Sequence, residues 1–191
     1  METLLRLDGD ILLWIQENMR TDLMTTIMRG ITRLGDNGCL WIVLAVVLLV
    51  IGKTRRVGAA SALSLLLTFM VVNLGIKNIV ERVRPYEVIE GLTRLVPAEE
   101  SFSFPSGHSA HAFAVGVVIF LMLPRKVGIP VLVLSFLIAI SRMYVGVHYP
   151  TDVLAGIVIG SLLAYISVRV VNFVMEKWER RNKRIQAEED R

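Results

Sequence analysis

The chain has 191 residues, enough for one domain, and 54% of them are hydrophobic, giving a mean hydropathy of +0.59, well above the soluble norm. A single cysteine, Cys39, excludes an internal disulfide; with no His or Asp motif beside it, it reads as a buried packing residue. The net charge of +4 does not indicate nucleic acid, because much of the basic excess falls in short runs between apolar segments, where it reads as a topology signal.

The start, METLLRLDGD, has acids and no basic segment followed by an apolar core, so no cleavable signal peptide is expected. Leu4, Leu5, Leu7, Ile11, Leu12, Trp14 and Ile15 form one amphipathic stretch, and Leu23, Met24, Ile27, Met28 and Ile31 a second, with Arg29 and Arg33 interspersed. Charge breaks both too often for a span, so they read as interfacial helices on the outer face. A sixth span from one of them is the alternative. The GDNG turn at 35–38 leads into the first of five expected spans, Gly38–Gly52. The others are Val57–Ile76, a stretch from Ser106 to near Pro124, Val127–Ser141, and Asp152–Met175, the last interrupted only by Arg169. A hydrocarbon core needs roughly 20 apolar residues in a helix. The first and fourth are short by that rule and need Lys53 to snorkel and polar residues to face the bundle.

The expected fold class is therefore all-α, an integral membrane helical bundle. Residues 1–36 form N-terminal amphipathic helices, 37–175 the transmembrane unit, and 176–191 a charged cytoplasmic tail, helical or disordered. Orientation follows from loop charge. Lys53, Arg55 and Arg56, then Arg125 and Lys126, then Lys177, Arg180, Arg181, Lys183 and Arg184 all fall on one side if the spans alternate. The positive-inside rule makes that side cytoplasmic.

Three short segments then meet at one level of the outer face: Lys77–Pro85 (KNIVERVRP), Pro105–His108 (PSGH) and Ser141–Asp152 (SRMYVGVHYPTD). Loop charge alone sets the orientation, so this convergence is an independent check. Arg84 offers a planar fork for phosphate oxygens and Lys77 a point charge; alone, the pair could equally anchor a helix end. Arg82 reads as a solvated or headgroup contact. In the second segment Ser106 is a good N-cap, free N–H groups at a helix start favour an anion, and Gly107 allows close approach to the backbone. A plain cap is the alternative, but His108, an imidazole at a lipid-flanked helix start, favours function. His111, one turn deeper, reads as packed. In the third segment Arg142 ends a span, and His148 and Asp152 are spaced i, i+4, with Pro150 suited to the first helical turn. A carboxylate beside an imidazole fixes its tautomer and equips it as a nucleophile; a structural His–Asp hydrogen bond is the alternative. A metal site from His108, His148 and Asp152 is disfavoured because Lys77, Arg84 and Arg142 would crowd a cation, so no metal or other cofactor is expected. Glu87, Glu90, Arg94, Glu99 and Glu100 read as ordinary solvated loop charges.

Together the segments resemble the type 2 phosphatidic acid phosphatase family, the PAP2 lipid phosphatases. The family pattern of Lys, six residues, Arg-Pro, then Pro-Ser-Gly-His, then Ser-Arg, five residues, His, three residues, Asp is matched at Lys77, Arg84, Pro85, Pro105, Ser106, Gly107, His108, Ser141, Arg142, His148 and Asp152. The resemblance covers roughly residues 57–165. It implies a metal-independent phosphatase with a six-helix core, a nucleophilic His148 oriented by Asp152, and His108 as acid and then base. Lys77, Arg84, Ser106, Gly107 and Arg142 would bind the phosphate. The implied substrate is a lipid phosphate or diphosphate at the outer leaflet, with undecaprenyl diphosphate preferred by analogy. Phosphatidylglycerophosphate or phosphatidate hydrolysis and lipid phosphotransfer are the alternatives. The expected partners are that lipid and the plasma-membrane bilayer; no motif speaks to oligomeric state.

Overall fold

Helix boundaries follow local chemistry along the computed structural model, which describes residues 2–189; among these, every regular element is helical. Helix α1 spans Glu2–Met19. Helix α2, Asp22–Arg33, starts where Thr21 Oγ1 accepts the Met24 N–H at 3.3 Å. A tight turn, Asp36–Gly38, with Gly38 at φ +66°, leads into α3, Cys39–Val50. Helix α4, Arg55–Thr68, continues through a π-wound stretch, Phe69–Ile76, into α5, Lys77–Val80. Arg84 is extended (ψ 149°), as the residue before a proline should be, and Pro85 opens the single turn α6, Pro85–Val88. Helix α7, Gly107–Met122, is capped by Ser106. Helix α8 spans Arg125–Tyr144, and α9, Pro150–Glu189, begins at the proline expected to start it. Its 40 residues make about 60 Å of helix, twice the hydrocarbon thickness, so the charged tail simply continues it. Of that tail, 190–191 lie outside the described residues, as do the Leu4 and Leu5 side chains.

Helix α7 is the axis of the bundle. Ala112, Val115, Val118 and Ile119 pack with Trp41 and Ala45 of α3, Ala60 and Leu65 of α4, Ile138 of α8 and Ala164 of α9. Small residues bring α9 against α7: a Cβ on Gly156 would stand 2.6 Å from the Ser106 carbonyl oxygen, and one on Gly160 2.3 Å from that of Ala110. This contact fixes the register of the two helix starts, and the Ser106 N–H donates to the Asp152 carbonyl at 3.0 Å.

The polarity is that of a protein dissolved in lipid. Ser61, Ser64 and Thr68 lie buried, while Val43, Val46, Leu66, Phe69, Val133, Leu154, Val158 and Leu162 face outward. Gly52–Val88, Arg125–Tyr144 and Pro150–Gln186 are each long and apolar enough to cross a membrane, which makes the chain a multi-span membrane protein. They contain the second, fourth and fifth expected spans, and α8 is longer than the stretch read from sequence. The first expected span corresponds to α3, only 12 residues long; joined to α2 across a 41° bend, it passes the same test as a pair. The third corresponds to α7, apolar but 16 residues long. Cys39 departs from expectation: it is exposed in the first turn of α3.

Candidate active site

The ends of α5, α7, α8 and α9 that carry the three segments lie together at one end of the bundle. Lys77, Arg84 and Arg142 are no more than 4% exposed, and His148 and Asp152 are fully buried. The π-wound turn places Lys77 beneath the loop before α7, where its Nζ donates to Ser101 Oγ at 2.9 Å. Arg84 lies across the same loop: Nε donates to the Ser101 carbonyl at 2.8 Å, Nη1 to the Val147 carbonyl at 3.0 Å, and Nη1 stands 3.4 Å from His148 Nε2.

His148 sits in the turn between α8 and α9, where Gly146 at φ +77° reverses the chain. Its Nδ1 faces Asp152 Oδ2 at 3.5 Å, which leaves Nε2 directed toward Arg84. Asp152 is itself held by Ser103 Oγ–H at 2.5 Å, the Tyr149 N–H at 3.0 Å and Arg82 Nη1 at 2.6 Å. Burial, with Arg84 and Arg142 adding to it, pushes His148 well below the ordinary imidazole range of 6.5. Nδ1 stands equally far, 3.5 Å, from Ser103 Oγ; a neutral imidazole with its proton on the Nδ1 that faces these oxygens has a lone pair on Nε2, the atom a nucleophile needs.

His108 stands at the first turn of α7 with Nε2 3.1 Å from Asp36 Oδ1. Ser106 is fully buried and its Oγ accepts from the Ser109 N–H and hydroxyl, so its hydroxyl serves as the helix cap. His111 is packed as expected, its Nδ1 2.8 Å from the Gly107 carbonyl oxygen. Among the described residues no group of three His, Cys, Asp or Glu side chains converges as a metal site.

Two charges read from sequence as solvated are structural parts of this pocket. Glu99 bridges the two arginines, pairing with Arg84 Nη2 at 2.6 Å and with Arg142 Nη2. Burial alone would push its carboxyl up; the Arg142 and Arg84 guanidiniums outweigh that and hold it at about 2. Arg82 links Asp152 to Asp8 of α1, whose Oδ2 accepts its Nη2 at 2.8 Å, and its guanidinium lies 3.7 Å over the Tyr149 ring. Asp8 also accepts from the Thr151 N–H at 3.1 Å. One signal for Asp8 is in the sequence: it shares the buried face of α1 with Leu12 and Ile15. Thr32 of α2, which accepts Arg142 Nη1 at 2.5 Å, carries no comparable signal.

Two clefts reach the pocket. One, about 850 Å³, is lined by Lys77, Glu99 and His108 together with Ile42, Leu65, Leu66 and Phe69. The second, about 660 Å³, is lined by α2 and the loop 94–99.

Fold and pocket define the class, a multi-span helical membrane protein with buried cations gathered around a histidine at one end of the bundle. Within that class the chain belongs to the PAP2 superfamily, which residues 58–176 match. It is 30% identical over 130 residues to an undecaprenyl-diphosphatase of Sulfolobus acidocaldarius, covering 68% of this chain and 63% of the relative, less than two thirds of that protein's length. It is 36% identical over 161 residues to phosphatidylglycerophosphatase B of Bacillus subtilis, covering 78% of this chain and 75% of the relative. The crystal structure of a transmembrane PAP2 type phosphatidylglycerolphosphate phosphatase from Bacillus subtilis superposes with a TM-score of 0.74 at 31% identity, covering 93% of this chain and 88% of that one.

Proposed function

We propose that the protein is a metal-independent membrane phosphatase that hydrolyses a lipid phosphate or diphosphate through a phosphohistidine at the extracytoplasmic face. Undecaprenyl diphosphate is the leading substrate. The observation that carries this reading is the surrounding of His148: three buried cations, Lys77, Arg84 and Arg142, beside an imidazole whose Nδ1 is turned to Asp152. Three cations face one bridging carboxylate, Glu99, and the excess of positive charge suits a phosphate; phosphoryl transfer depends chiefly on positioning and electrostatics.

In the first step His148 Nε2 attacks phosphorus as the bond from phosphorus to the lipid oxygen breaks, and His108 donates a proton to that oxygen. Asp152 takes the hydrogen bond of the now cationic ring. In the second step His108 removes a proton from water, the water oxygen bonds to phosphorus, the N–P bond breaks, and inorganic phosphate leaves. The Glu99 carboxylate rests between Arg84 and Arg142 in the free protein, and the phosphate takes over those guanidiniums with one more oxygen to offer. His108 shares its cleft with Ile42, Leu65, Leu66 and Phe69, which suits a lipid leaving group.

The loops at the opposite end carry Lys53, Arg55, Arg56, Arg125 and Lys126, which supports a cytoplasmic C-terminus and an outward site. A phosphatidylglycerophosphate phosphatase is the second reading, favoured by the names of the Bacillus relatives. The deciding experiment is phosphate release by purified protein, without any acceptor, from polyprenyl diphosphates, phosphatidylglycerophosphate, phosphatidate and soluble phosphates. Release from a lipid substrate supports hydrolysis; transfer only when an acceptor lipid is added would make the protein a phosphotransferase. A C-terminal tag labelled from outside intact cells would overturn the orientation.

A further inference from the structure

The second cleft is lined by four guanidiniums, those of Arg29, Arg33, Arg94 and Arg142, and by two carboxylates, Asp36 and Glu99. Both carboxylates are engaged elsewhere, Asp36 with His108 and Glu99 with Arg84 and Arg142. Among the described residues Arg29, Arg33 and Arg94 enter no ion pair. Arg29 and Arg33 are four residues apart and share a face of α2. Thr32 on the same helix holds Arg142 at 2.5 Å, so the cleft adjoins the pocket directly. Arg29 Nε is fixed on the Leu95 carbonyl at 2.7 Å and Arg94 Nη1 on that of Val96 at 3.1 Å; the remaining nitrogens of both are available to a ligand. Topology gives no account of these charges, because the basic loops that orient the spans lie at the other end of the bundle.

We infer that Arg29, Arg33 and Arg94 form a second phosphate-binding subsite beside Arg142, one group removed from the reacting phosphorus. Arginine forks match phosphate oxygens in pairs. The inference rests on the function proposed above, and two sources of phosphate fit it. One is the second phosphate of a lipid diphosphate, which leaves with the lipid. The other is the inorganic phosphate released by hydrolysis.

The test compares wild type with the R29Q/R33Q/R94Q variant in kcat/KM for a polyprenyl diphosphate, kcat/KM for the matching monophosphate, and inhibition by inorganic phosphate. A loss of about tenfold confined to the diphosphate assigns the subsite to the leaving group. An unchanged preference between the two lipids, with a phosphate inhibition constant raised about tenfold, assigns it to the released phosphate. An unchanged preference together with an unchanged inhibition constant overturns it. Arg29 and Arg94 brace the loop, so Arg33→Glu is the second variant; Arg33 is exposed and makes no side-chain hydrogen bond among the described residues. If wild type releases phosphate from neither lipid, the polyprenyl substrate fails, and calorimetric titration with inorganic phosphate still decides the subsite. Weaker binding to Arg33→Glu upholds it, and identical binding rejects it.

Discussion

The corner that holds His148 and the cleft that holds Arg33 share Arg142, yet they are built in opposite ways. In the corner Lys77, Arg84, Arg142, His148 and Asp152 are out of water, and Asp152 alone meets Ser103, Arg82, the Tyr149 N–H and His148. In the cleft the guanidiniums are exposed and keep donors to spare. The corner enforces one geometry, which suits the proposed in-line displacement at phosphorus. The cleft supplies charge without a fixed pose, which suits groups that arrive and leave. Substitutions in the corner should therefore be all-or-none, and those in the cleft graded and salt-sensitive.

The largest effect is expected at the corner's centre. His148→Ala should lower phosphate release by about 10⁴-fold or more while the melting temperature stays near that of wild type. Appreciable residual turnover would remove the nucleophile assignment. Next comes Arg84→Lys, which keeps the charge and loses the planar fork; a fall of about 10²-fold in kcat/KM is expected, and wild-type activity would show that charge alone suffices.

A smaller effect is expected one shell out. Asp8→Asn breaks the pair with Arg82 that steadies Asp152. It should cost about 2 kcal/mol of stability and lower kcat about tenfold with little change in KM. A stability loss with kcat unchanged would make Asp8 purely structural.

The dependence on pH sharpens the same contrast. A nucleophilic imidazole must be unprotonated, so activity is present above its pKa and lost as pH falls through it. Because burial, Arg84 and Arg142 push His148 well below 6.5, the acid limb of kcat/KM, corrected for titration of the substrate, should lie below pH 6.5. A limb centred at 6.5 or above contradicts this. In the cleft, Arg33→Glu should change activity only about threefold to tenfold, with the difference shrinking as salt rises.

The two regions were also unequally legible. Lys77, Arg84, His108, Arg142, His148 and Asp152 stand at helix ends in a spacing that can be read directly, and the structure gathers them at one end of the bundle. Their supports come from afar: Asp8 meets Arg82 across 74 residues and Arg142 meets Thr32 across 110. No local pattern links such pairs, which is why Glu99 and Arg82 read as solvated charges. The fold followed the same divide. Long apolar runs announce α4, α8 and α9, whereas the polar turn Asp36–Gly38 makes α2 and α3 look separate in sequence, and the chain passes it with a bend. Cys39 is exposed rather than buried because in a bilayer an apolar residue satisfies its environment by facing outward as well as by packing inward.

Direct capture of the intermediate tests the central proposal. Purified protein mixed with a lipid substrate labelled in its terminal phosphate, quenched with alkali within a turnover and digested, should yield an acid-labile, alkali-stable phosphoryl group on the peptide containing His148. The Asp152→Asn variant should yield far less. Phosphate release with no labelled peptide, or label on His108, would contradict it.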